Sequence, residues 1–141
     1  MKKIFCLIAV VLVLMVASVT FAQSIDSGDL KDLKGTWTGW ATFQIGQGVP
    51  AELVILNDTV PVKAKFNLSQ VPDNVGGMLG LGTADPGRKY SFSNDEGKIT
   101  TQGSLMWAGN KNFIEFFHKR GSLDGWFYVN GARGDVVLHK K

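Results

Sequence analysis

Apolar and polar residues alternate with a period of two along most of the chain after residue 35. This period is typical of β-strands that bury one face and expose the other. Trp37 and Phe43 fall on one face of the first such stretch, between polar threonines. The stretch 62–69 alternates most regularly and places Lys63 and Lys65 on its polar face. We therefore predict strands that are apolar on one side and wet on the other.

Clusters of glycine, asparagine and aspartate separate these stretches at intervals of about 11 to 14 residues, which is typical of hairpins. Two of the expected turns are Asn94-Asp95-Glu96-Gly97 and Asn130-Gly131. No stretch keeps a helical period over about ten residues, so parallel crossovers are not expected. We predict an all-β, antiparallel up-and-down meander that closes into an eight-stranded barrel, with a two-sheet β-sandwich as the alternative. The expected strands are 36–45, 51–56, 62–69, 88–93, 98–107, 111–118, 123–129 and 135–140.

The first 22 residues have the form of a signal peptide. Lys2 and Lys3 are followed by an apolar run over 4–17, and Thr20-Phe21-Ala22 has the small-x-small pattern of a cleavage site. The apolar run is short for a membrane span, which needs about 20 residues. We expect a bacterial-type export signal that is cleaved after Ala22, and a periplasmic or secreted protein.

Removal of 22 of the 141 residues leaves 119, a length that suits one domain. We divide the chain into the signal peptide 1–22, a lead-in segment 23–34 and a β-barrel domain 35–141. Loss of Lys2 and Lys3 leaves 13 basic residues against 12 acidic ones. Because these charges form no basic stripe, no nucleic-acid partner is expected.

Cysteine and histidine are too scarce to support redox or metal chemistry. Cys6 is the single cysteine of the chain and lies within the expected signal, so no disulfide is expected in the exported domain. The chain has two histidines. We therefore predict neither a metal site nor a cofactor.

A glycine-rich segment over 69–87 interrupts the alternation. It carries the apolar residues Val75, Met78, Leu79 and Leu81, which we expect to be exposed. Segments of this length are often binding loops or lids, and apolar side chains on them require cover. The other interpretation is a short extra helical turn, or a strand that the pattern does not locate, packed against the barrel mouth.

The segment Gly35-Thr36-Trp37 opens the first of the eight predicted strands, directly after a short lead-in. It resembles the Gly-x-Trp start of the lipocalins and their calycin relatives. The resemblance implies a small closed barrel with an interior binding site. It also implies that Trp37 closes one end, with Arg133 as the basic residue that stacks over its ring.

Two acid–histidine pairs were considered as catalytic groups. Glu115 and His118 are three residues apart on one predicted strand, so they point to opposite faces. Asp135 and His139 share a face, but about 13 Å of extended strand separates them. No catalytic residue is predicted, and we expect a protein that is not an enzyme.

The chain is rich in aromatic residues, with nine Phe, four Trp and two Tyr. Most of them are expected to fill the core of a small barrel. Trp40, Trp126 and Tyr128 lie on faces that also carry polar residues, so they are of interest for binding. The predicted ligand-binding residues are Trp40, Met78, Leu79, Leu81, Trp126 and Tyr128.

These observations lead to two functional hypotheses. The first is an exported, non-catalytic binding protein for a small apolar or amphipathic ligand. The alternative is a protein-interaction module, such as an envelope accessory factor or inhibitor, that acts through 69–87. A carrier requires an empty apolar interior, whereas an interaction module requires a filled interior and an exposed patch. Because Lys63 and Lys65 face outward, we expect no integral membrane protein after signal cleavage.

Overall fold

The computed structural model describes residues 22–79 and 88–141, apart from the side chain of Met78. Residues 1–21 of the expected signal peptide lie outside this part of the chain, as does the segment 80–87. Two short helices and eight strands are present: α1 Leu30–Leu33, β1 Gly35–Phe43, β2 Gly48–Ile55, β3 Val62–Leu68, α2 Asp73–Met78, β4 Tyr90–Ile99, β5 Leu105–Ala108, β6 Asn112–Lys119, β7 Ser122–Val129 and β8 Ala132–Lys140.

The eight strands form one closed antiparallel barrel in which each strand pairs with the next along the chain. Strand β8 closes the barrel by pairing with β1, from Trp37 opposite Lys140 to Phe43 opposite Gly134. The predicted meander and its closure are confirmed, and the sandwich alternative is not what forms. This architecture is compatible with a lipocalin-like fold. Every strand thus has a partner on both sides, although β4 and β5 pair only at Lys98 with Met106 and at Ile99 with Leu105.

The inward faces are those that the alternation predicts. Trp37, Ala41 and Phe43 of β1 are buried, whereas the lysines Lys63 and Lys65 of β3 are exposed. The physical reason is the strand period, which sends successive side chains to opposite sides of the sheet.

The interior is filled by aromatic rings. The ring centroid of Phe66 lies 6.4 Å from that of Phe116 and 5.7 Å from that of Phe127. Phe116 also contacts Trp107, with 6.4 Å between their centroids. A lumen wide enough for water would leave accessible surface on the side chains around it, yet Trp107 is 1% exposed and Phe116 is fully buried. These two side chains therefore border no space that a water molecule could enter.

The lead-in segment covers the end of the barrel at which β1 begins and β8 ends, here called the lead-in end. Helix α1 buries Leu30 and Leu33 against the core. The indole N–H of Trp37 donates to the Leu33 carbonyl at 2.7 Å. Upstream, the Ile25 N–H donates to the Gly103 carbonyl at 2.8 Å, which ties the segment to the β4–β5 turn.

Helix α2 covers the opposite end, here called the hairpin end. Val71, Val75 and Leu79 are buried there as part of the core. The side-chain amide of Asn130, in the β7–β8 turn, donates to the Leu79 carbonyl at 3.2 Å. The prediction of an extra helical turn against the barrel mouth is confirmed for the described part of the segment 69–87. The expectation that Val75 and Leu79 are exposed is wrong, since both pack inward.

The fourth strand differs from the sequence prediction. The residues Asn94-Asp95-Glu96-Gly97, expected to turn the chain, lie inside β4, and the turn falls instead at 100–104. Val62 pairs with Gly97 but Ala64 pairs with Asn94, so β4 has one extra residue between these pairs. The Asn94 side chain accepts the Glu96 N–H at 2.7 Å. The turn-forming residues therefore form a β-bulge.

The β7–β8 turn is formed by the Asn130-Gly131 pair that the sequence singled out. Asn130 has φ of +48° and Gly131 has φ of +90°. These left-handed conformations are those that a tight hairpin turn requires, and asparagine and glycine adopt them most readily. No helix of the described residues is long and apolar enough to cross a membrane.

Candidate binding surface

Large aromatic side chains lie on the outer wall of the barrel. Phe113 of β6 and Trp126 of β7 are stacked, with 4.5 Å between their ring centroids and an interplanar angle of 27°. The guanidinium of Arg133 in β8 lies over the Trp126 ring, 5.2 Å from its centroid. This arrangement combines aromatic stacking with a cation–π contact. Three neighbouring strands thus form one ordered layer of side chains.

Hydrogen bonds hold the Trp126 indole in this layer. Its Nε1–H donates to Oε2 of Glu115 at 3.1 Å. The hydroxyl of Ser104 donates to Oε1 of the same carboxylate at 2.5 Å. Because both carboxylate oxygens are engaged, the orientation of Glu115 is fixed, and with it the edge of the indole.

Tyr128 extends the aromatic layer toward the hairpin end. It is the cross-strand partner of Phe113 on β6 and of Arg133 on β8. Tyr128 is 44% exposed. A side chain of this size on an open part of the wall is available to a binding partner.

Trp40 and Val137 form a second exposed pair on the adjoining strands β1 and β8. The two residues are cross-strand partners, and Trp40 is 61% exposed while Val137 is 45% exposed. The exposed Asp135 lies between Val137 and Arg133 on the outer face of β8. We call the surface formed by these residues the aromatic face. It comprises Trp40, Phe113, Trp126, Tyr128, Arg133, Asp135 and Val137.

The aromatic face brings together three of the residues predicted to bind a ligand, namely Trp40, Trp126 and Tyr128. Leu79 is buried at the hairpin end and is not part of it. The backbone of Met78 ends helix α2, while its side chain and the whole of Leu81 lie outside the described residues. The predicted set is therefore spread over the outer wall and one end of the barrel.

The expected stack of Arg133 on Trp37 is not present. The cation over the Trp37 ring is Lys140, whose Nζ lies 5.8 Å from the ring centroid. Arg133 lies at the hairpin end, about 23 Å along the strand from Lys140, and stacks on Trp126 instead. The reason is the direction of β8, which starts at the hairpin end and reaches Trp37 only at its last residues.

The buried Arg88 was not identified from the sequence. Its guanidinium lies beneath helix α2 and forms an ion pair with Asp73. Gly76 faces the same group, since a Cβ at this position would lie 2.2 Å from Nη1. Among residues 22–79 and 88–141, no acceptor bonds to Nε or Nη1 of Arg88.

The two acid–histidine pairs remain apart in the structure. Glu115 bonds to Ser104 and Trp126, whereas the His118 ring packs edge-on against Trp37, with centroids 6.5 Å apart. In the described part of the chain, no group of three or more acidic, histidine or cysteine side chains is placed to hold a metal ion.

Two titratable groups have shifted pKa values. Partial burial acts to raise the pKa of Asp124, but hydrogen bonds from Lys119 and Ser122 and the charges of Lys119 and His139 outweigh it, so the pKa lies below its ordinary value. The Lys119 Nζ lies 2.7 Å from Oδ2 of Asp124. Burial raises the pKa of Tyr90, and a hydrogen bond to Asn112 partly opposes this effect.

Sequence reasoning missed Phe113 and Arg133 as parts of the aromatic face, and Glu115 as the residue that holds the Trp126 indole. Alternation alone places a residue on a face, but the register between strands decides which residues meet. The Asn130-Gly131 turn could have supplied that register, because it fixes Tyr128 opposite Arg133. No protein-family model matches this sequence, and no curated protein matches it either.

Proposed function

We propose that this protein is a non-catalytic binding module that recognises a protein partner through the aromatic face. The observation that carries the proposal is the contrast between the two sides of the wall. The interior is filled by Phe66, Trp107 and Phe116, whereas Trp40 and Tyr128 are exposed on the outside. Large exposed aromatic side chains on one surface are typical of interaction sites.

The residue types of the aromatic face favour a protein partner. Tryptophan, tyrosine and arginine are the residues that most often dominate the binding energy of protein interfaces. The stack of Phe113, Trp126 and Arg133 is already ordered, and Glu115 holds it from one side. A pre-ordered surface loses less side-chain entropy when a partner binds.

The closed wall also restricts how a partner can dock. Because the strands that carry the aromatic face pair with each other along nearly their whole length, a partner cannot add a strand there. Binding therefore depends on side chains. Arg133 and Asp135 carry opposite charges within the aromatic face, so we infer a partner that presents an apolar side chain between an acidic and a basic residue.

The filled interior gives less support to the hypothesis of a carrier for a small apolar ligand. A carrier in this fold would require Phe66 and Phe116 to move aside. Membership of the calycins is likewise a proposal, supported by Gly35-x-Trp37 at the start of β1 and by the cation of Lys140 over Trp37. Export rests on the signal-like first 22 residues.

Site-specific photo-crosslinking tests the proposal. The photoreactive residue p-benzoylphenylalanine replaces Trp40 or Tyr128 in cells that express the full chain, and replaces Lys63, exposed on the outer face of β3, as the control. We expect one discrete protein adduct from the first two positions and none from the third. Equal adducts at all three positions, or a covalent dimer of the chain itself, would contradict the proposal of a distinct partner on this face.

The crosslinked partner must then be identified, purified and titrated against the unlabelled protein. Trp40→Ala and Tyr128→Ala should each weaken its binding by about tenfold or more, which corresponds to at least about 1.4 kcal/mol. Lys63→Ala should leave the dissociation constant within about twofold. A partner that binds Trp40→Ala as tightly as the unaltered chain does not use the aromatic face.

A further inference from the structure

A polar cleft lies on the outer wall over strands β1 to β4, on the far side of Trp40 from the aromatic stack. Its volume is about 530 Å³. Ligand-binding clefts usually measure about 300 to 1,000 Å³. The size therefore suits a ligand of one or two small rings.

One row of polar side chains crosses the cleft at a single level of the barrel. Thr38 pairs with Glu52, Glu52 with Asn67, and Asn67 with Ser91, one residue from each of four adjacent strands. Neighbouring strands lie about 4.8 Å apart, so the row spans about 14 Å. This length exceeds a single sugar ring and accommodates a disaccharide.

Hydrogen bonds fix the orientation of the row. The Asn67 amide donates to Oε1 of Glu52 at 2.9 Å, and the Ser91 hydroxyl donates to Oδ1 of Asn67 at 2.8 Å. Within the described residues, these bonds leave Oε2 of Glu52 and the second amide N–H of Asn67 for a ligand. A fixed alternation of acceptor and donor groups matches the hydroxyls of a sugar, each of which donates and accepts.

Two further features narrow the class of ligand. Lys65 and Lys89 line the cleft, and both are exposed. Their two positive charges exceed the single negative charge of Glu52, so the cleft favours an anion. Pro50 also lines the cleft and offers apolar surface to the ring face of a sugar.

We propose that this cleft binds a short acidic saccharide. The row of Thr38, Glu52, Asn67 and Ser91 bonds the hydroxyls, while Lys65 and Lys89 bind the carboxylates. The site is separate from the aromatic stack on β6 to β8, so it stands or falls independently of the protein partner proposed above.

Titration by NMR tests this site. The full 141-residue sequence is expressed in ¹⁵N-labelled medium. The protein is used as the cell processes it, with or without the N-terminal segment. Digalacturonate, at up to about 10 mM, is the acidic probe, and cellobiose is its neutral counterpart. We expect digalacturonate to shift the amide signals of Glu52, Asn67 and Ser91 in a saturable manner, and cellobiose to bind at least about fivefold more weakly.

Matched variants show whether the cleft is responsible. Asn67→Ala and Lys65→Ala should each weaken digalacturonate binding by about fivefold, the effect expected from loss of one hydrogen bond. Lys63→Ala removes the same charge from the same strand but outside the cleft, and should change binding less than twofold. Native-like spectra of all three variants exclude loss of folding as the cause.

Three results would overturn the proposal. One is the absence of saturable shifts with either sugar. Another is an equal loss of affinity in Lys63→Ala and Lys65→Ala, which would indicate attraction by net charge alone. Equal affinity for cellobiose would refute the acidic character of the ligand. Each outcome leaves the test of the aromatic face untouched, because none of these variants alters Phe113, Trp126 or Tyr128.

Discussion

Trp107 and Trp40 have opposite environments because alternate residues of a strand point to opposite faces of the sheet. Trp107 points inward, is 1% exposed and donates its indole N–H to the Val62 carbonyl at 2.8 Å. Trp40 points outward and contacts the solvent. The buried indole needs a hydrogen-bond acceptor, since an unpaired polar group in the core is destabilising. Gly97 leaves room for this bond.

Replacement of Gly97 by alanine should destabilise the barrel. A Cβ at this position would lie 2.2 Å from Nε1 of Trp107 and 2.6 Å from the Val62 oxygen. We expect Gly97→Ala to lower the free energy of unfolding by about 1 to 3 kcal/mol, measured by urea denaturation. The control is Gly77→Ala, where an added Cβ meets nothing within 4 Å. Because alanine favours helix α2, this control should be neutral or stabilising by up to about 1 kcal/mol. An equal effect of both substitutions would show that the indole is not so closely packed.

The lowered pKa of Asp124 predicts a pH-dependent contribution to stability. The folded state favours the charged carboxylate, through Lys119, Ser122 and His139. This stabilisation is present above the unfolded pKa, about 3.9, and is lost as the pH falls from there through the lower folded pKa. Asp124→Asn should therefore lower the free energy of unfolding at pH 7 by at most about 1 kcal/mol, because the pair is partly exposed.

Urea denaturation at several pH values checks this prediction. The difference between the unaltered chain and Asp124→Asn should shrink as the pH falls below about 4, because the native carboxyl then becomes protonated as well. Asp58→Asn is the control. Its carboxylate lies 3.9 Å from the Lys34 ammonium, and both side chains are nearly half exposed. A difference that stays constant from pH 7 to 3 would argue against a charge effect at Asp124.

At the scale of elements, the lead-in segment acts as a plug. Helix α1 has four residues, too few to be stable alone. Its stability must come from burial of Leu30 and Leu33 and from the bond between Trp37 and the Leu33 carbonyl. The segment is thus part of the barrel core rather than a flexible leader.

Shortening one buried side chain of the lead-in segment tests this interpretation. Leu33→Ala removes a buried side chain but keeps the backbone carbonyl that accepts the hydrogen bond from Trp37. Any loss of stability therefore reports the packing of the side chain alone. We expect a decrease of about 2 to 5 kcal/mol in the free energy of unfolding. Lys31→Ala, on the exposed side of the same helix, should stay within about 0.5 kcal/mol. Equal, small effects would mean that α1 is not coupled to the barrel.

The sequence predicts most strands because their information is local. Alternation identifies β1 and β3, and Asn130-Gly131 identifies the last hairpin. The prediction is wrong at Asn94-Asp95-Glu96-Gly97, where residues typical of a turn form a bulge inside β4. A local pattern cannot separate the two, because the same Asx hydrogen bond serves both and only the pairing with β3 decides between them.

The candidate sites are less predictable, because a local pattern does not reveal how the strands pair. The alternation of inward and outward residues predicts that Trp40 and Tyr128 are exposed. The contact of Arg133 with Trp126, however, depends on the register between β7 and β8. The polar cleft requires four strands in register, which no single stretch reveals. By contrast, the predicted meander already implies the partner of Trp37, because antiparallel closure places the last residues of β8, and with them Lys140, beside the start of β1.

At the scale of the whole molecule, the barrel is closed on all sides. Each strand of the wall has a partner on both sides, α1 covers the lead-in end and α2 covers the hairpin end. Aromatic rings fill the interior between the two plugs. We propose that recognition by such a molecule occurs on its outside, where Pro50 of the polar cleft is the cross-strand partner of Trp40 in the aromatic face.

The filled interior leads to a prediction that separates the two functional hypotheses. The purified chain should have the same mass under native and denaturing conditions, and saturating benzene should leave its Tm unchanged, because side chains fill the described part of the interior. Leu53→Ala provides the positive control. Leu53 points inward and is 1% exposed, so its truncation should lower stability by about 2 to 5 kcal/mol and create an apolar cavity. Benzene should bind in such a cavity and recover part of the lost Tm. If instead the unaltered chain carries an apolar compound, or if benzene raises its Tm as in the variant, the barrel opens in solution and a carrier function becomes the better explanation.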